Sequence, residues 1–346
     1  MPAPLGSPER TVPCRACRRR AAALLALAAG LRPPAATGDT LLALAALPAH
    51  RLAGAAGQPW LVGPPEPQTA SGAPASPAAS QGTELCPHCA GYPAALRELP
   101  AAPSLLYTRG RHLGGGDASV TEPLAVALVG QRRAGGDAHV MTARLAGGLA
   151  RAGVTVVAEL APGVGAVALL SALSSGGSAL AVASGAIPRA QLGSLARLER
   201  ALLARATILS EVPWDAPSRP WREILRWRIV AGLVPLTVVI EAGDRAGAMI
   251  AAAVARDAGR DVAAVPGSPV RWQCEGSNAL LRDGAHFVTG VQDVLDLLFG
   301  VGVHPGERAG PEPLAIQRPC PGEDDGARPP PPRGGARGVT ARGLVA

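Results

Sequence analysis

"LAVALVGQRRAGGDA", residues 124–138, runs from six apolar residues into Gly130 and then into Gln131, Arg132 and Arg133. The apolar run Leu124–Val129 is too short for a helix and reads as a strand buried on both faces. From about Ala138 the pattern "HVMTARLAGGLARAG" places Val140, Met141, Leu145 and Leu149 at helical spacing. The basic, Gly-containing turn therefore lies between the carboxyl end of a strand and the amino terminus of a helix. Free helix N–H groups and the helix dipole make such a junction attractive to anions. Phosphate is the first expectation, and a plain surface turn is the alternative.

The same alternation continues along the chain. Apolar, strand-like runs recur at 154–160, 178–184, 206–212, 236–242, 261–267 and 285–290. Helical stretches fill the gaps at 138–152, 163–175, 190–205, 219–233, 246–258 and 291–299. Strand, helix, strand at this spacing predicts an α/β fold: a Rossmann-like, doubly wound, mainly parallel sheet with helices on both faces. Ligands of such sheets sit at strand carboxyl ends near a topological switch point, which is where "GQRR" falls.

Around this core the composition changes. Residues 1–60 read as a small helical domain, and 61–83, rich in Pro, Ala, Ser and Gly, as a flexible linker. The alternating domain is expected over 84–300. Residues 301–346 are dominated by Pro, Gly and Arg, and are expected to be disordered. Four arginines before "AAALLALAAGL" outline a signal peptide, but that run is about half the roughly twenty residues needed to span a bilayer. Two short Leu/Ala helices explain it better, so a cytoplasmic protein without a membrane partner is expected.

The 346 residues carry a formal charge of +7 with histidine neutral, and every cation is arginine, since the chain has no lysine. A basic balance suits polyanions. Abundant Ala, Gly, Pro and Arg also follow from a GC-rich genome, so the charge weighs little by itself. Aromatics are only 3%, leaving the core to Ala, Val and Leu.

Cys14 and Cys17 form "CRAC", and Cys86 and Cys89 form "CPHC". Two C-x-x-C pairs can build a tetrahedral zinc site. The long, low-complexity separation between them favours coincidental, reduced cysteines, and no metal or cofactor is expected. Cys274 and Cys320 have no partner motif.

No catalytic set assembles in the sequence. The histidines are scattered without metal-ligand spacing, and G-x-S-x-G is absent. A lysine-free chain has no Walker lysine, and G-x-G-x-x-G does not follow the first strand. Glu159, Glu211 and Glu241 end strands, and a structural pairing with arginine is expected of Glu211 and Glu241. Glycines and arginines are better placed: Gly130, Arg132, Gly163, Arg226, Arg228 and Gly247 border strand-end loops, and Asn278 can cap or bridge such loops. This arrangement favours binding over turnover.

From Tyr92 to about residue 300 the chain resembles the DNA-processing protein A (DprA/Smf) family. Tyr92–Pro93 and Pro103 to Gly110 match its entry motif, and Val129–Gly130–Gln131–Arg132 stands where the family has Val-Gly-Ser-Arg. Ser210–Glu211–Val212–Pro213 matches Ser-Glu-x-Pro. The run Arg226 to Leu233 matches Arg-Asn-Arg-Ile-Ile-Ala-Gly-Leu, with Trp227 in place of Asn. Val239 to Ala242, Val265 to Gly267 and Gly276 to Ala285 match further blocks. The chain departs over Ala158–Leu169, where the family's Ser-Gly, Asp and His are missing, and at Ala246, which replaces Ser. The helical amino terminus resembles the family's small helical (SAM-like) domain, whereas its winged helix has no counterpart in the tail.

The resemblance implies a non-catalytic, homodimeric protein that binds single-stranded DNA and loads RecA recombinase onto it in natural transformation. It makes Gly130 the close approach for a phosphate and Arg132 its counter-charge, with Arg133 facing solvent. The competing readings are an enzyme resembling nucleoside-monophosphate phosphoribohydrolases and a decayed paralogue that no longer binds.

Overall fold

Two large cores, one on each side of a single sheet, and a third, smaller one under the amino-terminal helices organise the described residues. The computed structural model describes residues 13–30, 38–47, 82–110, 124–185, 198–214 and 220–301. The strands are β1 (Thr83–Leu85), β2 (Leu106–Gly110), β3 (Ala125–Val129), β4 (Thr155–Glu159), β5 (Ala179–Ala183), β6 (Thr207–Ser210), β7 (Leu236–Val239), β8 (Asp261–Ala264) and β9 (His286–Phe287). They are joined by helices α1 (Arg15–Gly30), α2 (Gly38–Ala46), α3 (Ala94–Arg97), α4 (Gly136–Arg151), α5 (Val164–Ser174), α6 (Pro220–Gly232), α7 (Gly247–Asp257), α8 (Glu275–Arg282) and α9 (Val291–Phe299). A further helical stretch covers 198–205.

Strand order is β1-β2-β6-β5-β4-β3-β7-β8-β9. From β3 the chain steps outward through β4, β5 and β6, then returns to lay β7 against the other side of β3. All pairs from β6 to β9 are parallel, in register such as Val126 with Val156 and Leu128 with Val238. The reversal of direction at β3 is the switch point that opens a crevice at the strands' carboxyl ends.

The period of two along each strand explains why both faces are covered. In β3, Ala125, Ala127 and Val129 enter one core while Val126 and Leu128 enter the other. On the first face α7 packs through Ala248, Ala251, Ala252 and Ala255, small side chains that let a helix lie close to the sheet. On the second face α4 and α5 contribute Leu145, Leu149, Ala168 and Leu169.

Three features differ from the sequence reading. The edge pair β1–β2 is antiparallel, and β2 also meets β6 antiparallel; neither strand was expected. Thr83, expected to end the linker, opens β1. The amino-terminal helices share cores with the sheet domain: Leu24, Leu27, Ala28 and Ala45 pack on Trp221 and Leu225 of α6, and Cys17 and Ala21 join the first core. Arg20 adds hydrogen bonds to Ser104 Oγ (2.6 Å) and to the carbonyls of Ala45 (2.7 Å) and Leu47 (3.0 Å). These helices and the sheet therefore belong to one compact unit.

Residues 61–81 of the linker expected at 61–83, the start of the helix expected at 190–205 and the tail beyond Val301 lie outside the described residues. Among the described residues no helix is long and apolar enough to cross a membrane.

Candidate functional site

The loop of the opening stretch is held by backbone from both neighbouring strands. The amide of Gln131 donates to the Glu241 carbonyl (3.0 Å), and the amide of Val164 donates to the Gln131 carbonyl (3.1 Å). The side chain of Glu241, buried at the end of β7, accepts from the Gly135 amide (2.9 Å) and pairs with Arg271 (3.3 Å). One glutamate thus ties the turn after β3 to the segment after β8.

Two glycines make this stitching possible. A Cβ on Gly130 would stand 2.6 Å from Val164 Cγ2 and 3.1 Å from the Glu241 carbonyl oxygen. Its role is thus to let α5 and the β7 loop close on the turn, where close approach of a phosphate was expected. Gly163, with φ +85°, takes a conformation that L residues with side chains rarely adopt, and its missing Cβ leaves room for the carbonyls of Gln131 and Arg132.

At the switch point lies a cleft of about 820 Å³, lined by Gly130, Gln131, Arg132, Arg133, Glu223, Arg226, Trp227 and Gly243, by Asp244, Arg245, Ala246 and Gly247, and by Trp272 and Glu275. Its four guanidinium groups differ in their freedom. Arg132 pairs with Glu223 at 2.6 Å. Arg226 is buried near Glu159, itself buried at the end of β4, whose carboxylate oxygens have no hydrogen-bond partner in another of the described residues. Burial pushes the Glu159 carboxyl up to about 7, against the opposing pull of Arg226 and Arg132. Among the described residues Arg133 and Arg245 enter no ion pair, and both are exposed.

Aromatic surface sits beside these cations. Trp272 is 63% exposed, with its ring edge against Gly243. Trp227 is only 6% exposed and packs against Gly247, where a Cβ would clash with its indole nitrogen. Helix α7 begins at Gly247 without a side-chain cap, and Ala246 and Gly247 line the cleft.

Of the residues singled out in the sequence, Gly130, Arg132, Arg226 and Gly247 line the cleft, and Gly163 supports it from below. Arg228 does not reach it. This side chain is 1% exposed and grips Glu211 in a bidentate pair, Nη1 to Oε2 at 2.7 Å and Nη2 to Oε1 at 2.5 Å. Asn278 does not reach it either: its side chain exchanges two hydrogen bonds with the Gly267 backbone, 3.0 and 3.1 Å, and so bridges two loops. Glu211 and Glu241 pair with different arginines, as expected of structural carboxylates. Arg133 is exposed, as expected, and also belongs to the cleft wall. Arg245 and Trp272 were missed; the sequence signal for Arg245 was its place in "GDRAG" directly before α7.

The cysteine pairs, expected to be unrelated, meet: Cys14, Cys17, Cys86 and His88 bring their ligand atoms within 4.8 Å of one another.

The family model for DNA recombination-mediator protein A matches residues 84–299. The chain belongs to this family. It is 38% identical over 191 residues to the DNA processing protein DprA of Mycobacterium tuberculosis, a match covering 55% of this chain and 48% of the relative. The DprA of Streptococcus pneumoniae is 32% identical over 205 residues, covering 59% and 70%. The crystal structure of the S. pneumoniae DprA superposes with a TM-score of 0.57 at 30% identity, covering 62% of this chain and 74% of that one. A Helicobacter pylori DNA processing protein A, whose structure is described for its single-stranded DNA binding mode, superposes at 0.54 with 24% identity, covering 63% and 95%. The match spans about half the length of the M. tuberculosis DprA. In this DprA-family chain the cleft lies within the family-matched region.

Proposed function

We propose that the cleft binds single-stranded DNA through its phosphates, and that the protein hands the bound strand to a RecA-type recombinase without catalysing a reaction. Membership of the recombination-mediator family supports the reading, as does the single-stranded DNA binding described for the H. pylori relative. The observation that carries it is the placement of Arg133 and Arg245: exposed, unpaired among the described residues, and beside an uncapped helix start. Cations free of carboxylate partners are available to phosphate without first breaking an ion pair. Trp272 supplies a base-stacking face, an interaction worth roughly 1–3 kcal/mol per base.

The lining supports binding in place of turnover. The described cleft residues include no serine, threonine, cysteine or histidine, and the carboxylates Glu223, Asp244 and Glu275 stand among arginines. A homodimer working in the cytoplasm completes the proposal.

The test is an anisotropy titration with labelled single- and double-stranded oligonucleotides of equal length, run beside a nucleotide-release assay. Preference for the single strand, with no free base released from nucleoside monophosphates, supports the proposal. Base release favours the phosphoribohydrolase-like reading, and failure to bind either oligonucleotide favours a decayed paralogue.

A further inference from the structure

Helix α1 reaches the sheet edge with its first turn, and Cys14 and Cys17 straddle the start of that turn. Opposite lies the segment after β1, carrying Cys86 and His88. The His88 Nδ1 atom is 3.6 Å from Cys14 Sγ, 3.4 Å from Cys17 Sγ and 3.9 Å from Cys86 Sγ. A tetrahedral zinc ion with Zn–S of about 2.3 Å and Zn–N of about 2.0–2.1 Å separates its nitrogen and sulfur ligands by about 3.6 Å. The three observed separations bracket that edge.

We propose that this cluster is a structural zinc site in which Cys14, Cys17, Cys86 and His88 bind one ion and staple the amino-terminal helix to the edge of the sheet. Three thiolates and one imidazole are an established structural ligand set, and four protein ligands leave no open position for substrate. His88 is exposed, yet it turns Nδ1 towards three sulfurs that other parts of the chain hold in place. Cys17 and Cys86 are buried and Cys14 is half-buried, so protein encloses the sulfur side of the site.

Cys89 stands behind the site. Its sulfur lies 3.6 Å from Cys86 Sγ and accepts the Cys86 amide at 3.3 Å, but it falls outside the mutually close set of four. A zinc site made of both C-x-x-C pairs, the form weighed from sequence, is thus replaced by one in which His88 takes the place of Cys89.

The staple acts where the fold is otherwise thin. Strand β1 has three residues and, among the described strands, pairs only with β2. Beside it, Arg18 of α1 forms an exposed ion pair with Glu84 at 2.9 Å, a contact of small worth. A metal joining α1 to the β1 segment would provide the strong link between them. Binding releases three thiol protons as the sulfurs become thiolates, so affinity falls on acidification.

The 346-residue chain, reduced and reconstituted with zinc and then desalted, is expected to hold one zinc per molecule. Cobalt in its place is expected to show the visible bands of a tetrahedral ion and a thiolate charge-transfer band. Cys14→Ser and Cys86→Ser should lose the metal, His88→Ala should bind more weakly and shift the cobalt bands, and Cys89→Ser should retain it. A chelator should lower the melting temperature of the wild type, and zinc should restore it. The wild-type measurements decide even if a cysteine variant fails to fold. Negligible zinc with no cobalt spectrum, stable disulfides among these cysteines in protein made in a reducing cytosol, or metal that depends on Cys89 and not on His88 would overturn the assignment.

Discussion

Arg226 and Arg228 stand two positions apart on α6, and residues i and i+2 of a helix, about 200° apart, point in nearly opposite directions. One reaches the cleft wall, while the other is sealed between the sheet and Glu211. Sequence spacing placed both near a strand end but carried no information about which carboxylate either would meet. The difference sets a testable contrast. Removing one partner of a buried ion pair leaves the other uncompensated, so Arg228→Ala should cost about 3–5 kcal/mol in urea unfolding. Arg132→Ala, which loses a half-exposed pair, should change stability by less than about 1 kcal/mol.

Glu159 gives a second contrast at this scale. Its folded-state carboxyl titrates at about 7, above the usual value of 4.5. As pH rises through that window the unfolded chain releases this proton while the folded chain retains it. Stability contributed by the protonated form is therefore complete below about 4.5 and is lost towards 7. Glu159→Gln should remove this part of the pH dependence and stabilise the protein at pH 8 by roughly 1–3 kcal/mol. Unfolding curves that keep the same slope against pH in the variant would rule this out.

At the scale of elements, most of the sheet was legible because its strands are continuous apolar runs. Ala125 to Val129 and Leu236 to Val239 are buried on both faces, which is what such runs indicate. The edge strands β1 and β2 were not legible. "TEL" and "LYTRG" are short, mixed in polarity and only partly buried, so they show neither a continuous run nor a clean alternation. The cleft was legible as a set of loops, but not as a set of free and paired charges. Nor could periodicity show that Cys14 and Cys17 face Cys86 across an unpatterned stretch, because that depends on how α1 docks against the first core.

Gly163 links the element scale to the site. It precedes α5 in a backbone conformation suited to glycine, against the carbonyls of the cleft loop. Gly163→Ala should destabilise the protein by about 1–3 kcal/mol and weaken DNA binding as well, because relieving the clash displaces Gln131 and Arg132. An alanine variant with unchanged melting temperature and affinity would mean that the loop accommodates the side chain freely.

At the scale of the molecule, the formal charge of +7 matters less than where cations lack partners. The cleft holds four arginines and three carboxylates, and only part of that positive charge is available to an incoming polyanion. The most direct test is the slope of log affinity against log salt for a single-stranded oligonucleotide. It should be compared among the wild type, Arg245→Ala in the cleft and Arg256→Ala in the last turn of α7, at the other end of that helix. Each phosphate contact contributes about 0.7 to that slope for single strands. Arg245→Ala should bind more weakly and flatten the slope by about one contact for every sequence tried, with Arg256→Ala unchanged. Equal slopes and affinities for all three proteins would contradict the cleft as the binding site.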